Sequence, residues 1–215
     1  MSPGTALQLP HLPDFLIYAL LFKDVKNAAH LRQQLVAGNT EFEYAFLDAT
    51  KILSVNHALA AVFRAVNDMI HNRLKSRNVH SEIVFSLNPN NNIADSFRRF
   101  GVTDSTKHVL AVKVVAKQAQ GVQPVDPETH LKAVVEGTHV DFNDENLKDI
   151  ADLPQIRKLY KLDAPLPSKA GKNKPKKAAD NEASDSAQTN GINIEIDNVR
   201  DMEAVILGIM ALKGS

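Results

Sequence analysis

The sequence of 215 residues contains no cysteine. This absence excludes disulfide bridges, thiolate zinc sites and a cysteine nucleophile, and it fits an intracellular protein. A basic leader of the kind found in secreted proteins is also missing, and the apolar run Phe15–Phe22 is too short to cross a bilayer. We therefore expect a globular protein that does not enter a membrane.

Neither sign of charge predominates, because 25 Lys and Arg residues balance 25 Asp and Glu residues and the formal net charge is zero. A protein without an overall positive field has no general attraction for nucleic acid. Any contact with nucleic acid must therefore come from a local patch of the surface.

Signatures of catalysis are absent as well. The sequence carries no GxSxG, P-loop, kinase or HExxH motif, and its serines and acidic residues do not fall at spacings that assemble an acid–base pair. We therefore predict no enzyme activity, no cofactor and no metal. His57 and His71, on or beside a long predicted helix, are expected at the surface or at the edge of the core.

One stretch has a partial likeness to a calcium-binding loop. Asp141, Asn143 and Glu145 match its first alternating positions, but Asn146 stands where that loop needs glycine, and the closing glutamate is absent. We therefore interpret Asp141 or Asn143 as the N-cap of a helix that starts near Asp144.

Four short apolar runs are predicted as strands, with helical patterns between and after them. The strands are Phe15–Phe22, Tyr44–Leu47, Glu82–Leu87 and His108–Val115. The helices are Asp24–Val36, Ser54–Leu74, Ile93–Phe100, Pro127–Glu136, Asn143–Leu153 and Pro154–Tyr160. This order predicts an α/β (α+β) fold, in which residues 1–162 form a single layered domain with a central mixed sheet of about four strands.

The longest helical pattern has a regular apolar stripe on one side, and Ser54 is its expected N-cap. The side chains predicted to face the core from this stripe are Leu59, Val62, Phe63, Val66, Met69, Ile70 and Leu74.

Composition changes sharply after the last of these helices. Residues 163–190 contain almost no large apolar side chain, and a basic half is followed by an acidic half. Such a stretch cannot bury enough surface to offset the entropy of ordering it. We predict a disordered charged tether over residues 163–196.

Residues 197–215 are predicted to form a C-terminal helix that packs on the domain and on a partner. At about 100° per residue its apolar side chains cover an arc of roughly 220°, more than a helix facing a single core needs. Ala204, Gly208 and Ala211 leave a smooth strip that another backbone could approach. The predicted partner-binding residues are Met202, Val205, Ile206, Ile209, Met210 and Leu212.

The stretch EIVFSLNPNNNIADSFRRFGV, residues 82–102, combines an apolar run with three asparagines and two arginines. In a structural interpretation an asparagine caps the following helix, Ile93, Phe97 and Phe100 face the core, and Gly101 ends the helix. In a functional interpretation, amide groups beside unpaired backbone N–H groups bind a polar ligand or the unpaired end of an RNA. The candidate RNA-binding residues are Asn90, Asn91, Asn92, Arg98 and Arg99.

Together with LLFKDVKNAAHLRQQL, residues 20–35, this stretch resembles the PRPK-binding-protein family, which contains the Cgi-type small subunit of the KEOPS (EKC) complex. The similarity runs from about residue 15 to residue 162 and resumes in the final helix. Its most specific part is SLNPNNNI followed by FRRFG. The lysine-rich tether and the proline-rich start depart from the compact form of the family.

The resemblance implies a non-catalytic subunit that binds the N-terminal lobe of a small atypical kinase of the PRPK type. That kinase sits beside a threonylcarbamoyl transferase, and the complex modifies the adenosine next to the anticodon of tRNA. The small subunit is then expected to support the activity of the kinase and to bind tRNA weakly, at its 3′ tail. Location in the nucleus and cytoplasm, and roles in telomere maintenance and transcription, are implied by association.

Two other functions are compatible with the residues themselves. The first is an enzyme with a small-molecule pocket at the Asn90–Asn92 corner, which would show intrinsic turnover. The second is a self-associating scaffold whose terminal helix pairs with its own copy, forming a stable dimer that Ile209→Asp makes monomeric.

Overall fold

The computed structural model describes residues 6–119, 125–163 and 198–213, so the predicted tether lies outside it except for Asp163. Within these ranges the strands are β1 (Phe15–Lys23), β2 (Ala45–Asp48), β3 (Val109–Ala116) and β4 (Thr138–Val140). The helices are α1 (Ala28–Ala37), α2 (Val55–Ile70), α3 (Val79–Leu87), α4 (Ile93–Phe100), α5 (Pro127–Val134), α6 (Asp144–Ile150), α7 (Leu153–Tyr160) and α8 (Val199–Leu212). The predicted α+β class is confirmed.

The four strands form one sheet in the order β2-β3-β1-β4. The long central ladder joins β1 to β3, from the Phe15–Ala116 pair to the Phe22–Val109 pair. Each pairing between these strands is antiparallel, so the sheet differs from the mixed sheet expected from the sequence. The segments between neighbouring strands return the chain in the opposite direction rather than crossing over to a parallel strand.

The sheet separates two clusters of buried side chains. Ile17 and Leu21 of β1 point into the larger cluster, which includes side chains of α2, α3, α7 and α8. Leu20 and Phe22 point to the opposite face, where they pack with side chains of α1 and α5. This alternation is the period of two that a strand covered on both faces requires.

The strand predicted at Glu82–Leu87 is wrong, because these residues belong to helix α3. Asn78 caps this helix, and its side-chain oxygen accepts a hydrogen bond from the Ser81 N–H at 2.8 Å. Nearly every side chain of α3 is buried. A continuous apolar run is compatible with a buried strand or a buried helix, and periodicity alone does not separate them.

The fourth strand of the sheet, β4, is a three-residue element that the sequence pattern missed. It pairs with β1 from Leu21–Val140 to Lys23–Thr138. The predicted helix Pro127–Glu136 ends at Val134 instead, close to the start of this strand. A strand of three residues is too short to display an alternating pattern of its own.

Helix α2 begins as predicted and ends early. The Ser54 hydroxyl accepts a hydrogen bond from the His57 N–H at 3.0 Å, which confirms the N-cap. The helix ends at Ile70, and the backbone of Asn72 takes a left-handed conformation with φ of 53°.

The face of α2 that enters the core differs from the predicted stripe. Phe63 and Ile70 were expected to be buried, yet they are 39% and 47% exposed. Ala58, Ala61 and Ala65 lie in the core instead. Small side chains let the helix approach its neighbours closely, so the alanine face packs inward and part of the larger apolar face remains outside.

His57 is fully buried, whereas the sequence placed it at the surface or the core edge. Its Nδ1 accepts from the Leu53 N–H at 3.1 Å, so Nε2 carries the proton and donates to the Tyr160 hydroxyl at 2.8 Å. That hydroxyl donates to the Leu87 carbonyl at 2.5 Å, which links α2, α7 and α3. Burial lowers the pKa of His57 to about 3 and keeps the ring neutral. His71 is exposed, as expected.

Strand β2 is shorter than β3, and a side chain binds a backbone group of β3 that β2 does not reach. The last pair of this ladder is Ala45–Val112, so the Val114 N–H lies beyond the end of β2. His80 of α3 accepts this N–H with Nε2 at 3.1 Å. An unpaired donor at the edge of the sheet is thereby satisfied.

Tyr160→Phe is expected to lower the free energy of unfolding by about 1–3 kcal/mol, because the buried Nε2–H of His57 and carbonyl of Leu87 both lose their partner. Urea unfolding followed by circular dichroism measures this loss. Tyr18→Phe is the matched control, since Tyr18 is only partly buried in β1. Equal losses in the two variants would contradict a role for this hydrogen-bond relay.

Candidate functional site

The asparagine corner joins the end of α3 to the start of α4 through local hydrogen bonds. Asn92 is the N-cap of α4, and its side chain accepts from the Asp95 N–H at 2.9 Å. The Asn90 side-chain oxygen accepts from the Asn92 N–H at 2.9 Å and from the Asn88 amide at 2.9 Å. The predicted cap of α4 by an asparagine is confirmed.

Asp95 is the point on which the polar groups of this corner converge. The Asn90 amide donates to its carboxylate at 2.8 Å, and the Arg99 Nε lies 2.6 Å from it. Arg98 donates to the other carboxylate oxygen. These hydrogen bonds, that from Asn90 foremost, hold the pKa of the Asp95 carboxyl well below its usual range. The negative charge of Asp95 is therefore matched by two guanidinium groups.

The structure brings four of the five candidate RNA-binding residues into one hydrogen-bonded network around Asp95: Asn90, Asn92, Arg98 and Arg99. Asn91 is exposed and stands outside this network. The side-chain amides of Asn90 and Asn92, which the sequence suggested as ligand contacts, form hydrogen bonds within the corner. The Arg98 side chain is 76% exposed. The assignment of these five residues to RNA binding stays a prediction.

The apolar side of α4 is less buried than its spacing predicted. Phe100 is fully buried, but Ile93 is 40% exposed and Phe97 is 37% exposed, so these two do not form part of the core. Gly101 ends α4 as expected, although its φ of −71° is not left-handed. Glycine is required there because a Cβ would lie 2.6 Å from the Phe97 carbonyl oxygen.

An open groove of about 820 Å³ lies beside the corner. It is bordered by α1, the turn Thr40–Phe42, β2, the first turns of α3, α4 and the loop 101–105. α1 ends at Gly38, whose left-handed φ of 71° turns the chain along the rim. This groove could not be predicted from the sequence, because its walls come from segments that are distant in the chain.

Cationic and apolar side chains share the lining of the groove. Arg32, Arg77 and Arg98 supply three guanidinium groups and Glu43 and Asp104 supply two carboxylates, and Arg32 is paired with Asp104 at 3.2 Å. Phe97 lines the same groove with its partly exposed ring. Such a surface can bind a ligand that combines anionic groups with flat apolar faces.

His80 forms part of the inner wall of the groove. Because its Nε2 accepts from the Val114 N–H, the neutral ring carries its proton on Nδ1, and this buried donor has no hydrogen-bond partner. Burial, and secondarily the ammonium group of Lys113, lowers the pKa of His80 to about 3. The ring is therefore neutral at physiological pH.

The stability of the fold should decrease on acidification from about pH 7.5 to about pH 5.5. His57 and His80 stay neutral in the fold but take up a proton near pH 6.5 when unfolded. The unfolded chain therefore binds more protons in this range, and each histidine contributes roughly 1.4 kcal/mol of lost stability. Urea unfolding at the two pH values measures the loss. His71→Gln, which removes an exposed histidine, is the control and should lose as much stability between the two pH values as the parent protein. If the parent protein is equally stable at both pH values, the neutral burial of His57 and His80 is contradicted.

Helix α8 packs on the larger core cluster with one side and presents the other to solvent. Among its predicted partner-binding residues, Met202, Ile206 and Met210 are buried in the protein's own core. Val205 and Ile209 are partly buried, and Leu212 is 74% exposed. The helix thus contributes side chains to the core of its own domain, and its contact with a partner stays a prediction.

Polar groups of the body hold both ends of α8. At its start, the Ser54 hydroxyl donates to the Glu203 carboxylate. At its end, Arg64 donates to the carbonyls of Met210 and Lys213. The Lys213 ammonium group donates to the Phe85 carbonyl, and burial, followed by the charge of Arg64, lowers its pKa to about 7.

The outward side of α8 has little side-chain volume. Ala204, Gly208 and Ala211 are exposed, in agreement with the smooth strip expected from the sequence. A Cβ placed on Gly208 would meet no atom within 4 Å. Nothing in the described fold therefore requires glycine at this position.

The partial likeness to a calcium loop has a structural explanation. Asn143 caps α6, and its side chain accepts from the Asn146 N–H at 2.8 Å, as one of the two predicted caps. Within the described ranges, no group of three or more His, Asp and Glu side chains is placed to hold a metal ion. None of the described helices has the length and apolarity needed to span a membrane.

Comparison with known proteins gives a consistent set of similarities. The model of a family described as kinase binding protein CGI-121 matches residues 22–214. The chain is 49% identical over 209 residues to the EKC/KEOPS complex subunit cgi121 of Aspergillus terreus, covering 97% of the chain and 96% of the relative. It is 54% identical to the Aspergillus fumigatus subunit of that name, over 74% of the chain and 84% of the relative. The Schizosaccharomyces pombe subunit is 34% identical over 72% of the chain and 87% of the relative.

Proposed function

Because this chain belongs to the CGI-121 kinase-binding protein family, we propose that it is a non-catalytic subunit of the EKC/KEOPS complex that binds a small atypical kinase through the outward face of α8. Through the kinase it is brought beside the threonylcarbamoyl transferase that modifies the adenosine next to the anticodon of tRNA. The proposal extends to its presence in the nucleus and cytoplasm, and to telomere and transcription roles of the complex.

The observation that carries the kinase contact is the glycine on the exposed face of α8. A glycine inside a helix costs about 1 kcal/mol relative to alanine, and Gly208 has no neighbour in the described fold that accounts for this cost. A second backbone that packs closely across Ala204 and Gly208 provides such a reason. Val205 and Leu212, at the edge of this face, supply the apolar side chains that anchor protein interfaces.

This arrangement divides the six predicted residues into two groups. Met202, Ile206 and Met210 hold the helix on its own body and are available to a partner only indirectly. Val205, Ile209 and Leu212 keep exposed surface. Deletion of the helix would disturb the core as well as the interface, so a substitution on the outward face is the cleaner test.

Gly208→Arg is expected to abolish binding of the kinase while leaving the fold at least as stable, because arginine favours a helix and the position is open. Co-purification and titration calorimetry with the kinase measure binding, and thermal unfolding measures stability. Ala133→Arg, at an exposed position of α5 on the other side of the sheet, is the matched control. Full kinase binding by a folded Gly208→Arg variant would refute the proposed interface.

The subunit is also proposed to help recruit tRNA by holding its unpaired 3′ tail in the groove beside the asparagine corner. Arg32, Arg77 and Arg98 can neutralise phosphates, and the partly exposed ring of Phe97 offers a face on which a base can stack. Of the five predicted RNA-binding residues, Arg98 lines this groove, and the other four belong to the corner next to it. Since the net charge of the chain is zero, affinity for RNA depends on the phosphate contacts that the other subunits add.

Arg77→Gln is expected to weaken tRNA binding by the assembled complex several-fold and to reduce the salt dependence of binding by about 0.7 in the log–log slope. Filter binding at several salt concentrations measures both quantities, with intact tRNA and with tRNA that lacks its unpaired 3′ nucleotides. Lys148→Gln, an exposed cation on α6, is the control of equal charge. Equal weakening by Lys148→Gln, or no preference for the intact 3′ end, would contradict the groove assignment.

The other two functions predict different results in the same experiments. An enzyme with a pocket at the corner would turn over a small molecule without partners, and a change at Asn90 would abolish that turnover. A self-associating scaffold would form a dimer through α8, and Gly208→Arg would make it monomeric. The comparisons favour a kinase-binding subunit over both, since the matching family is named for kinase binding.

A further inference from the structure

The Arg64 side chain of α2 reaches the last turn of α8. Its two terminal nitrogens donate separately to the carbonyls of Met210 and Lys213. Asp68, one turn further along α2, lies with a carboxylate oxygen 3.7 Å from the Arg64 Nε. Arg73 binds the other oxygen of Asp68 at 3.1 Å. Asp68 therefore helps to hold the Arg64 guanidinium group in position beside the end of α8.

The end of α8 needs such a partner for a general reason. The last carbonyls of a helix lack partners within the helix and carry the negative end of its dipole. A guanidinium offers several donors in a fixed plane and cannot lose its charge, so it can satisfy two carbonyls at once.

Lys213 forms a second contact between the end of α8 and the body. The Lys213 ammonium group is buried, donates to the Phe85 carbonyl and lies 3.4 Å from the centre of the Phe85 ring. The carboxylate of the buried Glu82 also acts on Lys213 from α3.

The apolar contact of α8 is confined to one side of the helix. Met202, Ile206 and Met210 are its three buried apolar residues, and Val205 and Ile209 pack against the same cluster with part of their surface exposed. The opposite side, from Ala204 to Ala211, is open to solvent. A helix attached by one stripe can roll or lift, and the bonds at its two ends fix its rotation.

We propose that Arg64 is a positioning residue that locks α8 on the body and so presents the outward face of the helix to the kinase in one orientation. This inference rests on the proposed function, in which that face is the kinase contact. If only a fraction of the molecules hold α8 in the docked state, the apparent affinity for the partner falls by that fraction. Arg64 thus acts on binding without touching the partner.

Hydrogen exchange of the full chain tests this role directly. In Arg64→Met, the amides of α8 should exchange about tenfold to a hundredfold faster, which corresponds to the loss of charge-assisted hydrogen bonds, while those of β1 and β3 keep their protection. Arg64→Lys keeps the charge but not the planar fork, so it should give intermediate exchange rates. Kinase affinity should fall in the same order as the protection of α8.

Two further variants separate the possible outcomes. Lys148→Met removes the same charge from an exposed position of α6, and it should leave both protection and affinity unchanged. Glu203→Ala breaks the bond at the other end of the helix without changing α2, so it tests docking even if Arg64→Met fails to fold. It should also raise the exchange rate of the α8 amides.

The results distinguish this inference from the proposed function. Unchanged α8 exchange in folded Arg64→Met or, if that variant does not fold, in Arg64→Lys and Glu203→Ala overturns the locking role, whatever Gly208→Arg does to kinase binding. If the α8 amides exchange faster but the affinity for the kinase is undiminished, the positioning role is overturned. Retained kinase binding by Gly208→Arg overturns the proposed function itself, even if Arg64 is found to lock the helix.

Discussion

The burial of α3 is the constraint on which the rest of the structure depends. A helix covered on almost all sides must find partners inside the protein for most of the polar groups it carries. The carboxylate of Glu82 accepts from the backbone of Lys75 and Ser76, and the carbonyls of Phe85 and Leu87 accept from Lys213 and Tyr160. The turn before α3, the helix α7 and the end of α8 are thus attached to one element.

Local chemistry explains which parts of the fold could be predicted from the sequence. Ser54, Asn92 and Asn143 were identified as caps or possible caps because a short polar side chain before a helix satisfies its first N–H groups, and all three act in this way. The long strands β1 and β3 have apolar runs that only burial explains. The element α3 was mistaken for a strand because its burial on all sides removes the periodicity that identifies a helix.

The candidate site was predictable only where its residues are neighbours in the chain. The corner from Asn88 to Arg99 was identified as a unit, although its hydrogen bonds to Asp95 could not be foreseen from composition. The groove is lined by Arg32 of α1, Arg77 of the loop before α3 and Arg98 of α4, which only tertiary packing brings to one surface. On α8, the wide arc of apolar side chains predicted contacts with both the body and a partner. Which of these side chains face the body follows only from the packing.

The imidazole of His80 at the end of the β2–β3 ladder also bears on aggregation. An open sheet exposes unpaired N–H and C=O groups along its edges, and such edges can recruit strands from other molecules. Because His80 occupies the Val114 N–H, the part of β3 that extends beyond β2 is closed to an incoming strand. The neighbouring edge of β2 is engaged by the Val102 N–H, and the β1 backbone at Ile17 by Leu7. Single hydrogen-bonding residues, rather than additional strands, thus occupy the backbone groups at these edges and hinder edge-to-edge association of the sheet.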